Sequence, residues 1–257
     1  STYQAYSEVI EDIAGNSNNQ AATAGQINSL NDVSGARDGV DYTARFNEAS
    51  YADSSSPTAA EIQAVISYVN LLVDIGYEAD NSGTGVDFTA SQLETNLGLG
   101  DVTADNATEY NSYIDDNADQ FSAPATFAEV QSMVHIVNVV VAASNDNLTS
   151  PQLVLGGVDV NPSTDPANTL STAELAQVSS DINAANPVPV TTAELQSIAE
   201  QVVTPVISLY GLDTISIEYG TPYSELGASA TDPYDSGTSP AVTVGGDTVD
   251  TDSVGTY

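Results

Sequence analysis

The chain has 257 residues, 36 Asp and Glu against 2 Lys and Arg, and a formal net charge of −34. That length allows more than one cored domain, but with Arg37 and Arg45 as the only cations there is no basic patch to neutralise nucleic-acid or lipid phosphates. The absence of cysteine excludes disulfides, zinc–thiolate sites and thiol chemistry. Charged residues are nevertheless only 15% of the chain, so the surface is Ser, Thr, Asn, Gln and Asp, an acidic coat that keeps the chain soluble and attracts divalent cations. The longest apolar run, Ile136 to Ala143, is interrupted by Asn138 and is well short of the roughly 20 residues a bilayer needs. No membrane insertion and no nucleic acid are expected. The first residue is Ser1 and no signal peptide precedes it, which reads as a processed or excised chain.

The opening "STYQAYSEVIEDIAGN" puts Tyr3, Tyr6, Ile10 and Ile13 on one helical face. It predicts the end of a truncated helical repeat over residues 1–20. Seven capping-box starts follow. Four have Glu three residues after the cap, at Thr58, Thr126, Ser171 and Thr191; three have Gln there, at Thr23, Thr89 and Thr149. In each the cap hydroxyl accepts from the third backbone amide and the Glu or Gln reaches back to the cap amide. Apolar stripes at helical spacing lie behind them: Ile62, Val65, Ile66 and Val69; Val130, Met133, Val134 and Val137; Leu195, Ile198, Ala199 and Val202. Such stripes predict packing faces.

The starts also recur in order, a Gln type before a Glu type at 23 and 58, 89 and 126, then 149 and 171. Tyr42 and Tyr110 stand sixteen residues before Thr58 and Thr126, and Phe46 pairs in the same way with Ile114. The spacing predicts three-helix repeats over 21–72 and 86–140, and a degenerate repeat with a linker helix over 147–203. The pattern resembles the small tandem helical repeats of very long, Lys-poor exported bacterial proteins.

Helical spacing ends at Val203, and Pro205 blocks its continuation. Beyond it Val206, Ser208 and Tyr210 alternate with Ile207 and Leu209, then Ile215, Ile217 and Tyr219 alternate with Ser216 and Glu218. Period two with glycine punctuation predicts β-structure. Here Pro205, Ile207 and Leu209, then Ile217, Glu218 and Gly220, then Tyr223, Glu225, Gly227, Ala228, Ala230 and Asp232, and finally Val249, Asp250, Thr251, Val254, Gly255 and Tyr257 resemble a bacterial immunoglobulin-like domain of surface proteins and adhesins. The resemblance implies a β-sandwich over 205–257 whose last strand is missing, with an open edge beside Val254 and Tyr257. The fold class expected is multidomain, all-α plus all-β: tandem small helical bundles followed by an incomplete immunoglobulin-like β-sandwich.

No catalytic constellation assembles. The single histidine, His135, sits mid-stripe in "QSMVHIVN", a poor place for a turn-mounted nucleophile's base. Calcium is the metal the acidic loops could take. Asp159, Asn161, Ser163 and Asp165 alternate as in an EF-hand loop but lack its central Gly and final Glu, and Asp232 and Asp235 share an interstrand loop; the competing reading of each is a hydrated turn. The function expected is non-enzymatic: an extracellular structural or adhesive segment of a bacterial surface protein, or a subunit of an extracellular fibre; the missing strand is either cut away or supplied by a neighbouring subunit through strand addition. Its partners would be neighbouring copies of itself, adjoining domains of a longer chain, or a host or surface ligand. The alternatives are a non-catalytic accessory region of a secreted polysaccharide-degrading enzyme, or a salt-adapted protein whose acidity reflects its habitat.

Overall fold

The computed structural model describes residues 2–80, 87–160, 170–203, 206–212, 214–231, 241–246 and 248–255. Among the described residues, about half helical, there are ten α-helices and one two-stranded sheet. The chain divides into two compact units, Ser1–Asn138 and Val139–Tyr257. In the first lie α1 (Thr2–Ile13), α2 (Ala24–Ile27), α3 (Thr43–Glu48), α4 (Ala59–Asp80), α5 (Ala90–Leu97) and α6 (Ala107–Asp116). The division falls inside α7 (Phe127–Ser144), and the second unit continues with α8 (Ser150–Leu155), α9 (Thr172–Ala184), α10 (Thr192–Val203), β1 (Val206–Leu209) and β2 (Ala228–Thr231).

The predicted helix starts close as capping boxes. At all seven the Glu or Gln side chain accepts from the cap amide, at 2.8 Å for Thr23, 2.7 Å for Thr58, 2.9 Å for Thr89, 2.7 Å for Thr126, 2.8 Å for Thr149, 2.6 Å for Ser171 and 2.9 Å for Thr191. A cap of this kind stabilises its helix by about 1 kcal/mol. That matters most for α2 and α8, which are too short to form alone.

Each long helix carries two stripes. On α4, Ile62, Val65 and Ile66 are buried near the N-terminus, whereas Leu71, Ile75, Glu78 and Ala79 are buried further on. At ~100° per residue the second set lies on nearly the opposite face from the first. On α7 the change recurs, from Val130, Met133, Val134 and Val137 to Val139, Ala142 and Ala143. The N-terminal half of α4 thus closes over the core that holds Ile27, Leu30, Tyr42 and Phe46, while α4 as a whole also packs against α5 and α6. Opposed stripes also explain why α4 and α7 are long and apolar enough to cross a membrane by length and composition: a helix packed on two faces has few polar positions left.

The buried positions of α1 match the second stripe of α4 in spacing: Ala5, Val9, Asp12 and Ile13 correspond to Leu71, Ile75, Glu78 and Ala79. Of the face expected from Tyr3, Tyr6, Ile10 and Ile13, Ile13 is buried and the half-buried Tyr6 packs against the core, its hydroxyl donating to the Pro57 carbonyl at 2.9 Å. Tyr3 is exposed, and Asp12 takes a core position that an apolar count passes over.

A recurring polar clamp fixes the loops. Gln63 accepts from the Ser34 amide at 2.9 Å and donates to the Ser34 carbonyl at 3.0 Å. Gln131 does the same with Gly100 at 2.9 and 3.0 Å, and Gln196 with Asp159 at 2.6 and 3.1 Å. Each side-chain amide pairs with a peptide unit as a neighbouring strand would. Seven residues on, Asn70 donates to the Gly35 carbonyl at 2.8 Å and accepts from the buried Tyr42 hydroxyl at 2.7 Å. Asn138 repeats this with the Asp101 carbonyl at 2.8 Å and Tyr110 at 2.7 Å. The clamp pairs the helix starting at Thr149 with the one starting at Thr191, not with the one at Ser171. In sequence Val203 stands seven residues after Gln196 and Leu175 sixteen before Thr191, where the other two clamps have Asn and Tyr, and Gln196 also donates to Glu200 at 2.9 Å.

In the β-rich segment, β1 and β2 are antiparallel, with Val206 opposite Thr231 and Leu209 opposite Ala228. The alternation over Ile215, Ile217 and Tyr219 forms no ladder. All three are exposed, and among the described residues no strand opposes them.

Candidate interaction surface

The β-rich segment is built around two turns. In the first, the Tyr223 hydroxyl donates to Glu225 Oε2 at 2.7 Å, and the Gly227 amide donates to Glu225 Oε1 at 3.0 Å. The Gly227 amide and then the Tyr223 hydroxyl hold the Glu225 carboxyl below its ordinary range. Gly227 has φ +77°, where a side chain would be strained, and its carbonyl accepts from the Tyr210 amide at 3.0 Å. That bond continues the β1–β2 pairing past Leu209. The spacing Tyr-x-Glu-x-Gly-Ala-x-Ala is therefore a braced glycine turn feeding directly into β2.

The second turn joins two distant stretches. The Gly220 amide, at φ +72°, donates to the Thr251 carbonyl at 2.8 Å. Asp250 accepts from the Asp252 amide at 3.0 Å and the Ser253 hydroxyl at 2.8 Å, which caps the return. Between these turns lies an open groove of about 630 Å³, lined by Leu209, Leu212, Ile217, Leu226, Val249 and Val254 among others. Two of its apolar lining residues are exposed, Leu209 at 59% and Val254 at 95%. Large exposed apolar surface is a common mark of a contact site.

Residues 207–257 match the family model described as bacterial surface protein, Ig-like domain. No curated protein and no solved structure matches the chain. The Ig-like match covers both turns and β2, and the family it describes is one of bacterial surface proteins. Its motif residues do backbone work. Glu225 and Asp250 accept from main-chain amides, and Gly220 and Gly227 supply the left-handed turns.

Of the residues singled out from sequence as metal ligands, Asp159 is described. Its amide and carbonyl are held by Gln196. Asn161, Asp165, Asp232 and Asp235 lie outside the described residues, as does Tyr257. Among the described residues no group of three or more His, Asp or Glu is arranged to hold a metal ion. His135 is partly buried in the second clamp, its Nε2 2.8 Å from Gln131 Nε2 and 3.4 Å from Asp101 Oδ2. Both arginines are engaged by residues of α4. Arg37 makes a two-pronged pair with Asp74, and the Arg45 guanidinium lies 3.8 Å from the centre of the Tyr68 ring. Of the two Asn-x-Thr sequons, Asn106 is buried and donates to Asn138 at 2.8 Å, which leaves Asn147 as the exposed one.

The clamps are the feature missed from sequence. Their signal is a Thr-x-x-Glu-apolar-Gln start, present at Thr58, Thr126 and Thr191 but absent at Ser171, where the Gln falls one residue later.

Proposed function

We propose that the chain is a non-enzymatic segment of a bacterial cell-surface or extracellular protein, in which tandem helical bundles act as a spacer and a β-sandwich module makes contacts. The match of residues 207–257 to the bacterial surface protein, Ig-like domain carries this reading. The clamped loops suit a spacer, because they fix backbone that would otherwise fray. The open groove lined by the exposed Leu209 and Val254 is the surface through which the module meets adjoining domains, a neighbouring copy supplying a strand, or a surface ligand. Calcium at Asp159, Asn161 and Asp165, or at Asp232 and Asp235, would stiffen the loops between these elements. Nucleic acid is not a partner in this reading, since the two cations are already engaged.

Deleting residues 1–257 from the gene in its host, and measuring cell attachment and cell-to-cell cohesion, tests the proposal. Loss of either, with growth unchanged, supports a structural or adhesive role. Unchanged attachment and cohesion with loss of a secreted hydrolytic activity would replace it with the accessory-region reading.

A further inference from the structure

Asp12 is 1% exposed, on α1 between the buried Val9 and Ile13. Its Oδ2 accepts from the Ala22 amide at 2.8 Å, tying the end of α1 to the loop that leads into α2. Its Oδ1 is buried as well, and among the described residues no donor reaches it. A carboxylate in that position keeps its negative charge out of water with half of its acceptor capacity unused.

The charges around it are of the wrong sign to help. Glu8 lies one turn earlier on the same helix and Asp41 lies just ahead of α3; burial first, then these two carboxylates, push the Asp12 carboxyl up from its ordinary value, against the lowering effect of the Ala22 bond. The residues of α2 carry no ionisable side chain, and α3 carries Arg45 and Glu48. Arg45 is stacked on Tyr68, and Arg37 is paired with Asp74. An acid recurs at the corresponding place on α4, where Glu78 is 2% exposed and precedes Ala79 as Asp12 precedes Ile13.

We propose that Asp12 is a protonation latch: on mild acidification it takes up a proton inside the fold and fastens α1 to the loop that enters α2. A neutral carboxyl is far less costly to bury than a carboxylate, and it retains an oxygen for the Ala22 amide. The folded chain then binds this proton more tightly than the unfolded chain. Stability from this group therefore grows as pH falls from neutral through the raised value, and is lost as pH rises.

The full chain tests this by NMR titration of the Asp12 side-chain carboxyl carbon, together with hydrogen exchange at the Ala22 amide corrected for intrinsic rate. Asp12 should titrate above the ordinary carboxylate range. Ala22 protection should rise as pH falls from 7 to 5, with uptake of one proton on closing changing the opening equilibrium by at most about tenfold for each pH unit. Asp12→Asn should be protected at pH 7 to the level that wild type reaches at pH 5, and should have lost the dependence. Asp32→Asn, which removes the same charge from an exposed turn, should keep it. An Asp12 carboxyl that titrates at or below the ordinary range would overturn the proposal whether or not the variant folds. So would an Asp12→Asn chain that retains the full pH dependence, or an Asp32→Asn chain that loses it.

Discussion

Gly76→Ala is the most revealing single change to the helical region. Gly76 lies on α4 where the chain returns over it: an added Cβ would stand 2.6 Å from the Ser122 carbonyl oxygen and 2.7 Å from the Ala125 nitrogen. Both are backbone atoms, so no rotamer change relieves the contact. Ala125 is held there by its amide, which donates to the Leu72 carbonyl at 3.0 Å. Alanine gains about 1 kcal/mol over glycine inside a helix. Against that, forced separation costs about 1–3 kcal/mol, and weakening the Ala125–Leu72 bond adds about 1 kcal/mol. The net expectation is a loss of about 1–3 kcal/mol, read as a lower urea midpoint of the helical signal in circular dichroism. Gly25→Ala on α2 is the matched control, since nothing lies within 4 Å of its added Cβ, and it should be neutral or stabilising by up to about 1 kcal/mol. If Gly76→Ala raised the midpoint as Gly25→Ala does, the close approach of 122–125 to α4 would be wrong.

Three further outcomes follow. Asn138→Ala removes the acceptor of the buried Tyr110 hydroxyl and of the Asn106 amide and frees the Asp101 carbonyl, so it should cost about 2–3 kcal/mol and raise exchange at residues 99–103; Gln196→Ala, at the exposed third clamp, should cost about 1 kcal/mol. Glu129 is held below its ordinary value because, although partial burial pushes it up, bonds from the Ser122 hydroxyl, the Thr126 amide and the Ser122 amide together outweigh that; its contribution is present above the ordinary carboxyl range and lost as pH falls through the lowered value, and Glu129→Gln should remove that acid-side loss without the gain expected of Asp12. Stability measured against CaCl2 and NaCl separately should rise at micromolar to millimolar calcium if the Asp159–Asp165 or Asp232–Asp235 loops bind it, whereas a gain confined to molar NaCl would assign the acidity to salt adaptation.

Local signals were legible in the sequence because their partners are local. A cap finds its Glu or Gln three residues away, so all seven starts could be read directly. The first stripe of α4, Ile62, Val65 and Ile66, followed for the same reason, as did the strand at Val206–Leu209 once helical spacing stopped. What sequence did not convey is long-range. Gln63, Gln131 and Gln196 sit in a visible motif, but each pairs with a loop 29, 31 or 37 residues away. The change of buried face within α4 escapes a single-stripe reading, and an apolar count on α1 chose Tyr3 over Asp12. Ile215, Ile217 and Tyr219 have a strand's pattern, but a pattern records only what would fit a half-buried surface and supplies no partner strand. The surface groove was the least visible of all, since it brings Leu209 and Leu226 together with Val249 and Val254 through two glycine turns.

Surface exposure in the native host is the most direct test of the whole account. Antibodies raised against residues 207–257 should label intact cells, or the matrix around them, as strongly as permeabilised cells, and protease added outside should abolish the signal. Labelling that appears only after permeabilisation, and survives external protease, would contradict it.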